Sequence, residues 1–192
     1  ELADYIGAPE AVWWSERMAE VRGGDAASIN RVVETALRHR RIDKAEQSFA
    51  LMKSQHPDSG SLAETEVRLL LAQNKTIQAM HRAMSALGAG DDSPLLHEVF
   101  VGLSLRSSND RLRAQGFRHL KENVYRSDEV GLVFARLVFS RGIRFNSEDE
   151  GLDYERLISM IESHEQATRA DRVTAYGMAL RMGVLDRDAA EA

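Results

Sequence analysis

Hydrophobic residues along most of the chain recur at intervals of three and four, the spacing that places them on one face of an α-helix. Between residues 25 and 40 such a stripe consists of Ile29, Val32, Val33, Ala36 and Leu37. Strict alternation of apolar and polar residues, which is typical of a half-buried strand, is scarce. The sequence therefore predicts an all-α protein of about ten helices.

Turn and capping residues mark the first boundaries between these helices. Gly23 and Gly24 end the first helix, and Asp25 is a suitable N-cap for the second. Asp43 is expected to cap the third. The predicted helices in this half cover residues 9–22, 25–40, 43–55, 62–73 and 77–87.

Similar signals divide the rest of the chain. Ser93 followed by Pro94 indicates a helix start, and Ser147 with Glu150 has the spacing of a capping box. Gly183 is expected to end the last helix. The links are mostly short, so neighbouring helices should pack as antiparallel hairpins. These helices are predicted over residues 95–105, 112–125 and 130–139, after residue 147, and over residues 166–182.

Small and aromatic residues recur at related positions in three successive helix pairs. The first pair carries Ala45, Phe49 and Pro57, the second Ala79, Ala83 and Ala86, and the third Gly102, Ala114 and Phe117. This pattern resembles the tetratricopeptide repeat (TPR), a helix–turn–helix unit of about 34 residues. In that family the small residues allow close helix approach, and the aromatic residue fills the space toward the next hairpin.

The resemblance implies a TPR-like solenoid, a right-handed α-α superhelix built from hairpins. Residues 1–192 would form a single domain, with a helical cap over residues 1–24 and three hairpins over residues 25–127. Residues 128–192 would add less regular helices. A helical bundle without repeats is the alternative fold.

The resemblance also implies a partner-binding groove lined by the first helix of each hairpin. Glu34 stands where chaperone-binding members of the family have an asparagine, so a clamp for a C-terminal carboxylate is not expected. Charges of both signs among apolar residues suit a peptide or helix of mixed character. Carried onto this chain, the groove positions are Asn30, Glu34, Arg38, Glu64, Arg68, Val99, Leu103 and Arg106.

Trp13 and Trp14 provide a second candidate contact surface. Adjacent residues on a helix point about 100° apart, so both rings cannot easily pack against one neighbour. In a purely structural arrangement, one ring would pack under the following hairpin and the other would cover an end of the helical stack. The alternative is that one ring is exposed and contacts a partner directly, because tryptophan is enriched in binding hot spots.

Composition and charge narrow the classes of partner. The net charge of −5 does not favour nucleic acid, and the absence of cysteine excludes disulfides and thiolate metal sites. No apolar run approaches the roughly 20 residues of a membrane-spanning helix. The chain begins with Glu1 rather than methionine, so a fragment is expected. The cytoplasm is favoured as the compartment of the chain. A soluble extracytoplasmic domain is the alternative.

No residue pattern typical of catalysis is present. The six histidines are scattered singly. His81, His97 and His119 are expected to be solvated or half-buried on their helices, and His56 is expected in a surface turn. Nucleophile-elbow, phosphate-loop and dinucleotide motifs are lacking. We therefore expect neither an enzyme nor a cofactor.

Three functions remain open at this point. The first is a scaffold or adaptor that binds another protein or a peptide through the repeat groove. The second is a spacer or regulatory part of a larger polypeptide, a membrane-associated one included. The third is a sensor that binds a peptide or a small ligand, in which case the apolar helix over residues 130–139 would close a pocket.

Overall fold

The computed structural model describes residues 8–144 and 152–183. Within these ranges the chain forms ten α-helices and no strand, which confirms the all-α prediction. The helices are α1 (Ala8–Val21), α2 (Ala26–Arg38), α3 (Ile42–Gln55), α4 (Leu62–Ala72), α5 (Thr76–Gly88), α6 (Pro94–Ser104), α7 (Asp110–Asn123), α8 (Asp128–Arg141), α9 (Tyr154–Ser163) and α10 (Arg169–Met182).

Most of the predicted capping residues occupy the expected positions. Asp25 caps α2, where its carboxylate accepts a hydrogen bond of 2.6 Å from the Ser28 backbone N–H. Ser93 is the N-cap residue of α6, and Pro94 is its first helical residue. Gly183 ends α10 with φ of 71°, a left-handed conformation that glycine adopts without steric cost. The residue type at each boundary, through a side-chain hydrogen bond at Asp25 and through backbone conformation at Pro94 and Gly183, thus favours these helix ends.

Of the other two predicted N-caps, one is wrong and one lies outside the described residues. Asp43 does not cap α3, because that helix already begins at Ile42 and Asp43 lies in its first turn. A carboxylate there still interacts favourably with the positive end of the helix dipole. The capping box predicted at residues 147–150 lies outside the described residues. The helix described after it, α9, is capped instead by Asp153, which accepts a hydrogen bond from the backbone N–H at position 155.

The chain divides into two compact units. Unit 1 (Glu1–Asp91) contains α1 to α5, and unit 2 (Asp92–Ala192) contains α6 to α10. The prediction of one domain over the whole chain stays a prediction.

Unit 1 is a series of helices that pack in chain order. Each helix contacts the next one, and α2 also contacts α4. Small side chains at the contacts, among them Ala36, Ala45 and Ala79, are completely buried and allow the helices to approach closely. Its core cluster consists of Val12, Val33, Ala36, Ala45, Phe49 and Leu69.

Unit 2 is built around α8, which contacts α6, α7, α9 and α10. Contact with four neighbours explains why α8 is apolar on most of its faces. Gly131 lies at a tight contact of this helix, since an added Cβ atom would overlap the Met160 side chain and would lie only 2.8 Å from the carbonyl oxygen of Val124. The buried side chains of α8 are Val130, Leu132, Phe134, Ala135, Leu137, Val138 and Phe139.

The small residues assigned from the TPR resemblance are buried in the first two hairpins but not throughout the third. Ala45, Ala79 and Ala83 are buried, whereas Ala114 is exposed. The small residue between α6 and α7 is Gly116, where a Cβ atom would lie 2.6 Å from the Cβ of Ser104. The assignment of Ala114 is therefore wrong, because that residue lies on the outer face of α7.

Among residues 8–144 and 152–183, no helix combines the length and the apolar character that crossing a membrane requires.

Candidate functional site

Helix α1 carries both tryptophans of the chain at the surface. Trp13 is 47% exposed and Trp14 is 49% exposed. Their rings meet edge to face, with centroids 4.8 Å apart, and the Arg17 guanidinium lies 5.5 Å from the Trp13 ring centroid. Because the two side chains point in different directions, they line different cavities.

The larger cavity, here called the Trp14 cavity, has a volume of about 670 Å³ and lies between α1 and α2. It contains Glu34 and Arg38 as well as Trp14, so the two contact surfaces predicted separately from the sequence share one cavity. The residues that line it are Trp14, Ser15, Met18, Ala19, Arg22, Ser28, Arg31, Glu34, Thr35 and Arg38.

The described residues of the Trp14 cavity include charges of both signs. Arg22, Arg31 and Arg38 contribute guanidinium groups, and Glu34 is the one carboxylate among the described lining residues. The Glu34 carboxylate accepts a hydrogen bond of 3.2 Å from the side-chain amide of Asn30, four positions earlier on α2. Arg22 also lies close enough to the Asp25 carboxylate to help lower the pKa of that group.

The second cavity, here called the Trp13 cavity, has a volume of about 500 Å³ and lies on the other side of α1. Its charged groups are already paired. Arg17 contacts Glu20 at 2.5 Å, and Glu16 contacts Lys44 at 3.2 Å. This cavity therefore presents little uncompensated charge.

The other groove residues predicted in unit 1 form hydrogen bonds with nearby side chains. The Thr65 hydroxyl donates to the Asn30 side-chain oxygen at 2.5 Å, which links α2 to α4. Arg68 contacts Glu64 at 2.6 Å, one helical turn apart on α4. These side chains stabilise the surface of the helices, and none of them lines the Trp14 cavity.

The three predicted groove residues of unit 2 differ in their exposure. Val99 is only 7% exposed, so its side chain belongs to the core and cannot be offered to a partner. Leu103 is half-buried, and Arg106 is exposed. The helical pattern of α6 alone could not distinguish these positions, because α6 is mostly apolar and is covered by both α7 and α8.

Unit 2 contains a pair of hydrogen-bonded histidines that the sequence did not reveal. The ring Nδ1 of His97 lies 2.8 Å from Nε2 of His119, and the ring Nε2 of His97 lies 2.8 Å from a carboxylate oxygen of Asp92. Since the carboxylate can only accept, His97 donates from Nε2, and its Nδ1 accepts from the His119 N–H. Both nitrogens of His97 are therefore satisfied by protein groups.

This histidine pair lies among aromatic side chains. The two rings stack with centroids 4.9 Å apart, and the Phe134 ring lies edge-on to His97 at 5.7 Å. His97 is 1% exposed, so the prediction that it is solvated or half-buried is wrong. His119 is half-buried, and its Nδ1 lies 3.5 Å from the Asn123 amide nitrogen.

Burial and neighbouring charges change the ionisation of this cluster. Burial, together with the charges of His97 and Arg126, lowers the pKa of His119 from its usual 6.5 to about 4. The hydrogen bond from His97 lowers the pKa of Asp92, and the Arg126 guanidinium 2.9 Å away acts in the same direction. His119 is thus neutral at pH 7, and the Asp92 carboxylate on the other side of His97 is ionised.

One further histidine has a structural contact that its position beside Pro57 did not suggest. His56 is half-buried, and its ring Nε2 lies 2.8 Å from the backbone carbonyl oxygen of Gly24. This contact joins the end of α3 to the turn that precedes α2.

The histidine pair is not part of a larger cluster of potential metal ligands in the described residues. Among the described residues, no group of three or more histidine, aspartate or glutamate side chains is arranged to hold a metal ion.

The histidine pair was not predicted from the sequence because His97 and His119 are 22 positions apart and meet only when α6 and α7 pack. The one available signal was the position of His97 directly after Leu96 and three residues before Phe100, on the buried face of α6.

No protein-family model matches the chain, and neither characterised proteins nor solved structures provide a match. The geometry of the Trp14 cavity and of the histidine pair is therefore the basis for a functional assignment.

Proposed function

We propose that this chain is a protein-binding module and that unit 1 binds a segment of a partner protein in the Trp14 cavity. The observation that carries the proposal is that a half-exposed tryptophan lines the same cavity as the charged residues Glu34 and Arg38. Tryptophan and arginine are the residues most enriched in the energetically dominant part of protein interfaces.

Exposed apolar side chains on α1 support this proposal. Met18 is 48% exposed, and Val21 is 81% exposed. With Trp14 they follow a spacing of four and three residues, which places them on one face of the helix. Large apolar side chains exposed on the same face of a helix are typical of an interaction site.

The order of helix contacts supports a TPR-like solenoid as the framework. In unit 1, α2 contacts both α3 and α4, and in unit 2, α6 contacts both α7 and α8. This alternation is expected when each hairpin stacks on the next through its first helix. Under this proposal the Trp14 cavity lies where the N-terminal cap helix meets the first hairpin.

The form of the cavity favours a protein segment over a small molecule. Sites for small molecules usually cover about 70–90% of the ligand surface. Here Trp14 and Met18 each keep nearly half of their surface exposed, at 49% and 48%. An open site of this kind suits a segment that is itself supported by a larger protein.

A spacer function requires no such surface. Burial of an aromatic side chain is strongly favourable, so a domain that only separates its neighbours would gain stability by covering both tryptophans. The exposure of Trp13 and Trp14 therefore favours the binding function over the spacer function.

Site-specific photo-crosslinking in an extract of the source organism tests the proposal. A photoreactive amino acid replaces Met18, which lines the cavity, or Ile77, which is 70% exposed on α5 and serves as the control position. We expect a discrete protein adduct from position 18 that is absent from position 77. The adduct should disappear when Trp14→Ala is added, with folding checked by circular dichroism. Equal adducts at both positions, or adducts unaffected by Trp14→Ala, would contradict the proposal.

A further inference from the structure

We infer that Met18 is a modification site for peroxides and that its oxidation to the sulfoxide weakens binding in the Trp14 cavity. The effect on binding rests on the proposed function, whereas the modification itself does not. The chain has seven methionines and no cysteine, so reversible sulfur oxidation in this chain takes place at methionine. All seven lie within the described residues, at positions 18, 52, 80, 84, 160, 178 and 182.

Exposure distinguishes Met18 from the other six methionines. Met18 is 48% exposed, and Met84 follows at 38%. Met52 and Met80 are buried, and the remaining three are half-buried. Because a peroxide must reach the sulfur atom to react with it, we expect Met18 to react first and the fold to protect Met52 and Met80.

The modification transfers one oxygen atom to sulfur. A lone pair of the thioether attacks the terminal oxygen of a hydroperoxide, so that a sulfur–oxygen bond forms as the oxygen–oxygen bond breaks. The departing oxygen takes the proton of the transferred one and leaves as water or an alcohol. Sulfur is oxidised by two electrons, and the peroxide is reduced by two. Methionine sulfoxide reductases reverse the change with electrons from a thiol.

The position of Met18 connects this reaction to binding. Met18 lies one helical turn after Trp14, and both residues line the Trp14 cavity. It is also the middle residue of the exposed apolar face that Trp14, Met18 and Val21 form. Oxidation makes this side chain polar, so the added oxygen interrupts the apolar face at its centre.

The free chain should tolerate the added oxygen better than a complex does. Because nearly half of Met18 is exposed, water can hydrate its sulfoxide in the free chain. A partner that covers the cavity removes this water, and burial of a polar group without a hydrogen-bond partner is unfavourable. Oxidation should therefore lower the affinity for the partner while unit 1 stays folded.

Graded oxidation of the full chain tests the modification site without any partner. The chain is treated with increasing doses of hydrogen peroxide, and mass spectrometry of its tryptic peptides measures the sulfoxide fraction at each methionine. We expect Met18 to reach half conversion at the lowest dose. Met52 and Met80 should require at least about tenfold more, because reaction at a buried side chain requires local opening of the fold. Unfolding the chain in urea before treatment should abolish this order.

Competition in the photo-crosslinking assay tests the effect on binding. Unlabelled full chain competes with the chain that carries the photoreactive amino acid at position 18, in an extract desalted to remove small reductants. Treating the competitor with the peroxide dose that oxidises Met18 should raise the concentration that halves the adduct by at least about tenfold. Reduction of the treated chain with a methionine sulfoxide reductase should reverse this increase.

Two leucine variants assign the effect to one methionine, and each is compared with its own untreated form. Met84→Leu keeps Met18 and should show the same increase as wild type. Met18→Leu has an apolar side chain of similar volume that peroxide does not oxidise, and it should show no increase. If Met18→Leu does not fold, reversal by the reductase in the wild-type chain still tests the effect.

The outcomes separate this inference from the function on which it rests. Another methionine that reaches half conversion before Met18 would overturn the modification site. Equal competition by treated and untreated chain, or an increase that the reductase does not reverse, would overturn the effect on binding. These results leave the proposed function in place, whereas untreated chain that does not reduce the adduct would overturn both proposals. A reversible increase in wild type and Met84→Leu that is absent from Met18→Leu would support both.

Discussion

One pair of aromatic residues in each unit lies in an opposite environment. In unit 1, Trp13 and Trp14 lie on α1, which packs mainly against α2, and both rings keep about half of their surface exposed. In unit 2, Phe134 and Phe139 lie on α8, which is covered by four helices, and both are completely buried. The two phenylalanines thus stabilise the fold of unit 2, whereas about half of each indole surface on α1 stays accessible to other molecules.

The largest expected difference between the units is the loss in free energy of unfolding when one aromatic ring is removed. Phe134→Ala leaves a cavity among packed side chains and should lower the free energy of unfolding by about 3–5 kcal/mol. Trp14→Ala removes a larger side chain that is 49% exposed and should cost only about 1 kcal/mol. Urea unfolding followed by circular dichroism measures both. Similar losses in free energy of unfolding for the two variants would contradict this difference between the units.

A smaller effect should follow from adding one methyl group to a tight helix contact. Gly131→Ala in α8 brings a Cβ atom to 2.8 Å from the Val124 carbonyl oxygen and into the Met160 side chain. We expect a loss of about 1–3 kcal/mol. Gly177→Ala in α10 is the matched control, because no atom lies within 4 Å of the added Cβ. That variant should gain about 0.5–1 kcal/mol from helix propensity. A loss of the same size in both variants would show that the packing around Gly131 is not tight.

The smallest effect concerns pH and depends on the histidine pair. The pKa of His119 is about 4 in the folded chain, against an ordinary value of 6.5, so between these values the unfolded chain binds a proton that the folded chain does not. Stability should therefore fall as the pH decreases from 6.5 to 4. Below pH 4 this group should cause no further loss. His119 is only partly buried, which limits the size of the effect.

The variant His119→Gln isolates the histidine contribution. Its side-chain amide can still donate a hydrogen bond to His97, but it does not titrate. Urea midpoints measured at pH 7, 5.5 and 4.5 should decrease less in this variant than in wild type. If the urea midpoints of the variant and the wild type decrease equally, the pH dependence of stability comes from other groups. The hydrogen bond between His97 and the ionised Asp92 carboxylate is expected to be lost only at lower pH, because the pKa of Asp92 lies below its usual 3.8.

Features set by neighbouring residues could be predicted from the sequence. The caps at Asp25 and Gly183 and the start of α6 at Pro94 depend on residues within one helical turn, and the structure confirms all three. Ten helices result from the same local periodicity. What these signals cannot specify is which face of each helix is covered by which neighbour.

Features that depend on helix packing were therefore missed or misplaced. The burial of Gly116 rather than Ala114 is determined by the contact of α7 with α6, and both residues are compatible with a helix. The contact of His97 with His119 arises in the same way. For Trp14, the sequence showed an unusual pair of residues, but only the structure places it beside Glu34 and Arg38.

The edge-to-face contact of the two tryptophans has an optical consequence. Indole rings with centroids 4.8 Å apart share their electronic excitation, and such exciton coupling contributes a paired positive and negative band to the circular dichroism spectrum. The strength of these bands depends steeply on the distance and angle between the rings. Because the chain has only two tryptophans and both lie on α1, exciton bands from coupled tryptophans come from this one helix. A partner that moves the Trp14 ring would change them without any added label.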